Sequence, residues 1–336
     1  MTRRTFLTAS AAVVGVAVVP RALDAAAREP WRVAHLGAHE GRFTKGALTL
    51  VSGYTVEGHH FAGQTIAGAI TRYGKGTRAV LTVVASAADA LRLLQSGGTT
   101  TAYGHFGVDL ALVESDELHA SIAARRELSE LQALCTLPPH FLHVVALSGS
   151  PLQWARDVKG QRVSLGASGS RTEKVVRRFL AASDMSLDDL RRESLPPGAS
   201  MKALAEHRLD AFAWHGPVST DVFERLPGLL GIRLTLLPLG DESTGLAADG
   251  GRYYAGTLSK GTYSWLERDA RALATANYLL CRRDLPLEVG YRIVKALQSH
   301  LDATLPGMGG SGRAEPAPPV PLHPGALRFA EESQRG

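Results

Sequence analysis

An α/β fold in two lobes is what this sequence predicts, and three observations predict it. Short apolar or β-branched runs alternate along the chain with amphipathic helical stretches. One long apolar run, Leu131 to Leu147, reads as a strand that leaves a first set of such units for a second. A later run, Tyr278 to Leu285, brings the chain back. The 336 residues suffice for two compact lobes, and 45% apolar with 21% charged residues is ordinary for a globular chain. The formal charge of +5 is mild and no dense Lys/Arg block occurs, so no nucleic-acid partner is expected.

The first segment has the layout of an export signal. Arg3-Arg4-Thr5-Phe6-Leu7 precedes the apolar run Ala11 to Val19, Arg21 follows, and Ala25-Ala26-Ala27 supplies small residues for cleavage. The apolar run is much shorter than the ~20 residues of a membrane-spanning helix. Residues 1–27 therefore read as a twin-arginine-type signal peptide, removed near Ala27, which implies a periplasmic protein. Arg28 to Lys45 is polar and precedes the first core strand, Ala47 to Ser52. Gly53 to Ala62 reads as a loop and Gly63 to Tyr73 as a helix with Ile66, Ala69, Ile70 and Tyr73 on one face. Ala79 to Ala85 and Ala87 to Gln95 form the next strand and helix, and Thr99 to Phe106 a further strand. After the crossing strand, Arg162 to Leu165 reads as a strand and Ala199 to Glu206 as a helix. Leu209 to Pro217 reads as a strand ending in a Gly-Pro turn, with Trp214 and His215 facing the space between the lobes. Pro316 to Pro321 is too proline-rich to form a helix.

The richest stretch runs from Val163 to Ala182. Gly166 stops a short strand, and Gly166 and Gly169 permit a tight loop. Ser170 and Glu173 have capping-box spacing, and Val175, Val176, Phe179 and Leu180 share one helical face. Strand, Gly/Ser loop and helix N-terminus together direct free N–H groups and the positive end of the helix dipole at one spot, an arrangement that accepts anions. Many such turns in α/β proteins hold no ligand. The Gly-Lys-Ser/Thr ending of a P-loop is missing.

Asp157-Val158-Lys159-Gly160-Gln161-Arg162-Val163 through Gly166, Gly169-Ser170 and Thr172-Glu173 resembles the core motif of the TAXI family, the extracytoplasmic solute-binding subunits of TRAP transporters. Pro139 with His143-Val144-Val145, Leu209-Asp210-Ala211, Tyr253-Tyr254 and Leu322-His323-Pro324-Gly325-Ala326 are similar to further segments of that family in the same order. The resemblance implies a type II periplasmic-binding-protein fold with a central ligand cleft. Lobe I would be residues 28–140 plus 255–336 and lobe II residues 141–254. It implies a small organic anion, a carboxylate or amino acid, as ligand, TRAP-type permease subunits as membrane partner, no cofactor and no enzymatic role. Ser168, Gly169, Ser170, Arg171 and Thr172 would hold the anion. Tyr54, Thr55, His59, His60, Phe61, Ser86 and His215 would line the remaining walls. Arg171 stands where the family has Gly, and either pairs a second carboxylate or faces solvent. His59-His60 and Asp89 also depart from the family pattern.

Other constellations carry less. His35, His39, His59, His60 and His105 cluster in the first half of the chain, but His35 and His39 flank Gly37 and lack a helix to align them, so no metal site is expected. Cys135 and Cys281 either form a bridge or remain two buried thiols. No nucleophile elbow or distinguished acid/base pair is present. Two rivals to transport remain: a ligand sensor for a membrane signalling partner, and an enzyme on the same fold.

Overall fold

The computed structural model describes residues 47–53, 58–101, 104–124, 128–218, 221–241, 245–246, 251–304 and 317–335. The expected signal peptide, residues 28–46 and the start of the first loop, Tyr54 and Thr55, lie outside them.

Parallel strands β1 (Ala47–Gly53), β2 (Arg78–Val84) and β5 (Leu110–Glu114) begin the main sheet. Helix α1 (Gly58–Tyr73) links the first two, and α2 (Ala87–Ser96) follows the second. β3 (Gly98–Thr101) and β4 (Gly104–Gly107) make a separate hairpin, and α3 (Ser115–Ala123) follows β5. β6 (Leu131–Leu147) then crosses to β7 (Arg162–Ser164), α4 (Arg171–Ala182), β8 (Arg191–Glu193), α5 (Pro197–Ala205), β9 (Ala211–Gly216), α6 (Asp221–Leu230) and β10 (Leu234–Leu236). β11 (Tyr254–Leu258) and β12 (Ala270–Arg282) return the chain to α7 (Leu287–Thr304) and α8 (Pro324–Arg335).

The main sheet has the order β2-β1-β5-β12-β6-β9-β7-β8, with β10 against β6 and β11 against β12. β12 runs antiparallel to both β5 and β6, so the returning strand is inserted between the two sets. This is an α/β architecture: one mixed sheet with helices packed along it, in which β12 joins a half built on β1, β2 and β5 to a half built on β7, β8 and β9. The inner strands β1, β5 and β9 are buried on both faces, while the edge strands β2 and β8 are partly or fully exposed. In β5, Leu110 and Leu112 enter one core with Ile66, Ile70 and Ile293, while Ala111 and Val113 enter another with Leu91, Leu94 and Tyr278. The second half repeats the plan. Leu142, Val144 and Ala146 of β6 pack on Val175, Val176, Phe179 and Leu180 of α4, and Phe141 and Val145 pack on the opposite face with Phe212, Trp214 and Phe223.

Four sequence expectations need revision. Thr99 to Phe106 is a hairpin of two short strands rather than one strand, because Thr101 pairs back to Gly104. The loop expected up to Ala62 gives way to helix from Gly58. Residues 110–123, which carried no assignment, form a core strand and a helix. Trp214 and His215 do not share an outlook: successive strand residues point to opposite faces, and Trp214 packs 4.6 Å from the Phe223 ring in a core.

The C-terminal Leu-His-Pro-Gly segment docks α8 onto α7. His323 Nε2 lies 2.8 Å from the Leu285 carbonyl, and a Cβ on Gly325 would fall 2.4 Å from the Leu287 carbonyl oxygen, so only glycine permits this approach. Cys135 and Cys281 are free thiols on the neighbouring strands β6 and β12. Burial pushes the Cys135 thiol up to about 12 and Cys281 higher still, so neither supplies a thiolate at neutral pH.

His143 is fully buried behind the β6–β9 pair. Its Nδ1 lies 2.9 Å from the Phe141 carbonyl and its Nε2 lies 2.8 Å from the Tyr263 hydroxyl, a pattern that a neutral imidazole satisfies as donor and acceptor. Burial lowers its pKa to about 4. The folded value is below the ordinary 6.5, so the unfolded chain takes up the proton first. The stability that neutral His143 contributes is complete above about pH 6.5 and is lost as the pH falls toward 4. The thermal midpoint should therefore decline over that window, and His143→Gln should lower the midpoint at pH 7 while flattening the decline. An unchanged slope in the variant would assign the pH dependence elsewhere.

Candidate functional site

The segments that follow the carboxyl ends of β5, β7 and β9 meet where the two halves of the sheet join. α4 begins there. Gly166 has φ +82°, and a Cβ on it would lie 2.9 Å from both Ser170 Oγ and Thr172 Cβ, so glycine lets the loop fold against the helix start. Ser170 is the N-cap, its Oγ accepting from the Glu173 N–H at 3.2 Å. The other half of the expected box is altered: the Glu173 carboxylate accepts from Gly169 N–H at 2.7 Å, and that bond is the main reason its pKa falls below the usual carboxylate range.

Arg171 is the first helical residue and is only 5% exposed, which removes the solvent-facing alternative. Its guanidinium crosses the junction to the start of α3. Nε pairs with Glu114 Oε2, Nη2 donates to Asp116 Oδ1, and Nη1 donates to Glu117 Oε1 at 3.4 Å. Burial opposes its charge, but the Asp116 and Glu114 carboxylates outweigh burial and hold the guanidinium well above its ordinary range. Tyr253 donates its hydroxyl to Asp116 Oδ2 at 2.9 Å, and burial together with that carboxylate raises its phenol. Ser115 fixes the same turn, donating to the Arg252 carbonyl at 2.7 Å and accepting from Ala276 N–H at 3.2 Å. Asp116 and Glu117 also occupy the first turn of α3, where the helix dipole favours negative charge.

Two histidines complete the junction. His140 Nδ1 lies 3.1 Å from Glu114 Oε1, and His215 Nδ1 lies 3.7 Å from the same oxygen. His215 Nε2 lies 3.0 Å from Thr275 Oγ1, and the His215 backbone N–H donates to Thr172 Oγ1 at 3.0 Å.

Of the residues singled out from sequence, Arg171, Thr172 and His215 are thus brought together, with Ser168, Gly169 and Ser170 in the loop beside them. Ser86 abuts the end of β1 but spends its side chain as the α2 N-cap, accepting from Asp89 N–H at 3.1 Å and donating to Asp89 Oδ2 at 2.8 Å. Tyr54 and Thr55 lie outside the described residues; His59, His60 and Phe61 fall at the start of α1, with their side chains outside the description. Sequence reasoning missed Glu114, Asp116, Glu117, His140, Tyr253 and Thr275. Two signals were visible: an apolar run ending in Glu114-Ser115-Asp116-Glu117, and a histidine, His140, within an apolar strand.

Removing one partner of a buried ion pair leaves uncompensated charge, at a cost of about 3–5 kcal/mol. Arg171→Met should therefore lower unfolding stability by about that amount in urea titration, and adding Asp116→Asn to the same chain should recover part of it. A loss no larger than that of an exposed pair, under ~1 kcal/mol, would mean that water reaches these carboxylates.

Among similar solved structures, the periplasmic aliphatic sulphonate binding protein SsuA from Escherichia coli is 13% identical, with 85% of this chain and 82% of that one covered and a TM-score of 0.42. A binding protein component of an ABC phosphonate transporter from Pseudomonas aeruginosa is 11% identical, with 78% and 76% covered and a TM-score of 0.42. The alkanesulfonate-binding protein SsuA from Xanthomonas axonopodis pv. citri, bound to MOPS, is 16% identical, with 85% and 83% covered and a TM-score of 0.36. The pattern of the NMT1-like family matches residues 53–333, nearly the whole of the chain described above, and the chain belongs to that family.

Proposed function

We propose that this protein is a periplasmic solute-binding protein that captures a small organic anion at the lobe junction and hands it to a TRAP-type membrane permease. Residues 1–27 act as its export signal. Residues 28–140 with 255–336 form one lobe, residues 141–254 the other, and the lobes close around the ligand. The TAXI-like order of motifs from Pro139 onward supports the transporter type, and membership of the NMT1-like family is compatible with it.

The Arg171 bridge carries this proposal. A single guanidinium at the head of α4 reaches across to carboxylates on α3, at the carboxyl ends of β5, β7 and β9. Crevices at the carboxyl ends of strands are where open α/β sheets bind ligands. An entering carboxylate competes with Asp116 for Arg171 and gains the N-terminal end of α4. The group it displaces is an acid, so the ligand that fits best also carries a positive charge: the α-ammonium of an amino acid would take Asp116 or Glu117 while its carboxylate takes Arg171. A plain dicarboxylate meets three carboxylates and one guanidinium, and binds less well on that balance.

Thermal unfolding of the chain from Arg28 onward, in chelator, against amino acids, dicarboxylates, sulfonates and phosphonates tests this. A ligand at 100 times its Kd adds about 2.7 kcal/mol of stability. The midpoint should rise by several degrees with an amino acid and less with the matching dicarboxylate, and Arg171→Lys should weaken the response. No rise with any member of the panel would overturn the proposal.

A further inference from the structure

Glu114, His140 and His215 come from three different strands, far apart in sequence, and converge at one point. Glu114 ends β5, His140 lies within β6, and His215 is the penultimate residue of β9. Each offers one donor atom, and these atoms lie within 4.8 Å of one another. The separations from Glu114 Oε1, 3.1 Å to His140 Nδ1 and 3.7 Å to His215 Nδ1, bracket the edge of a tetrahedron built on metal bonds of 2.0–2.1 Å, about 3.3 Å. All three residues are buried, so the donors are held by packing rather than by mobile surface chains.

Two further features suit a cation. Thr275 Oγ1 lies 3.0 Å from the far nitrogen of His215, which fixes the ring and leaves Nδ1 facing Glu114. The buried acids Glu114 and Asp116 both pair with the Arg171 guanidinium, and Glu117 lies beside them, so a cation at Glu114 would sit in an acid-rich junction.

We propose that Glu114, His140 and His215 form a binding site for a divalent transition metal, zinc foremost, that ties the first lobe to the second across β5, β6 and β9. Two imidazoles and one carboxylate suit zinc, copper or nickel; calcium and magnesium prefer oxygen donors throughout. Three protein ligands leave a fourth position for water or for an anionic oxygen. The metal site shares Glu114 with the Arg171 bridge, Oε1 facing the histidines and Oε2 the guanidinium, but it requires no amino-acid ligand to be bound.

The test uses the chain from Arg28 onward, stripped with chelator and dialysed against zinc. Metal analysis should find one zinc per chain, lost in His140→Gln and in His215→Gln and kept in His207→Gln, an exposed control. Thr275→Val should weaken binding about 10–100-fold, the usual effect of losing the partner that orients a ligating histidine. Because the junction variants can fail to fold, X-ray absorption on the zinc-loaded parent chain gives a second reading: nitrogen and oxygen neighbours at about 2.0–2.1 Å, two of them imidazole. Three results would overturn the site: no zinc retained, zinc retained equally by both histidine variants, or a sulfur-containing shell. The first leaves the histidines as hydrogen-bond partners of Glu114, and the second moves the metal to histidines elsewhere in the chain. The anion panel is run in chelator, so its failure and the failure of the metal site are separate outcomes.

Discussion

The junction depends on one buried guanidinium. Arg171 reaches from the first turn of α4 to Glu114 at the end of β5 and to Asp116 and Glu117 at the start of α3. Ions placed out of water are costly unless each is paired. The two helix starts are therefore bound to each other electrostatically, and whatever separates them must also resolve that charge. Packing alone would not impose such a condition, since apolar faces slide or separate without leaving an unpaired ion.

The frame around the bridge follows from two long strands. β6 and β12 lie side by side through the middle of the sheet, and each contributes to the cores of both halves. Helices packed on the sheet bury the inner parallel strands β1, β5 and β9. The loops at those ends then carry the polar groups. Glu114, Arg171 and His215 each sit within a few residues of a strand's carboxyl end, and Tyr253, Ser115 and Thr275 hold the acids and histidines in place by hydrogen bonds. A small chemical site is thus positioned by long-range sheet order rather than by any local motif.

Local rules were legible wherever the relevant partners lie close in sequence. The cap at Ser170 and the apolar face of α4 follow from spacing, because a cap or a helical face is decided within a few residues, whereas Ser86, expected to line the ligand site, caps α2 instead. Legibility failed where the deciding partner is remote. The apolar run that ends in Glu114-Ser115-Asp116-Glu117 marks a strand end but does not show what neutralises the acids; the cation that pairs with Asp116 is more than fifty residues away. Trp214 and His215 look alike as neighbours at a strand end, yet the pleat sends one into an aromatic core and the other to the junction.

The sequence by itself determined the alternation of strands and helices along the chain and a helix N-terminus built behind a Gly/Ser loop. These depend on periodicity, capping and turn chemistry, which act over a few residues. The tertiary structure alone decided what faces that helix: Arg171 paired with acids on another helix, and two histidines from separate strands drawn to one glutamate. Charge compensation and ligand convergence are properties of distances in space, and a linear chain carries no record of those distances until the sheet order and register are set.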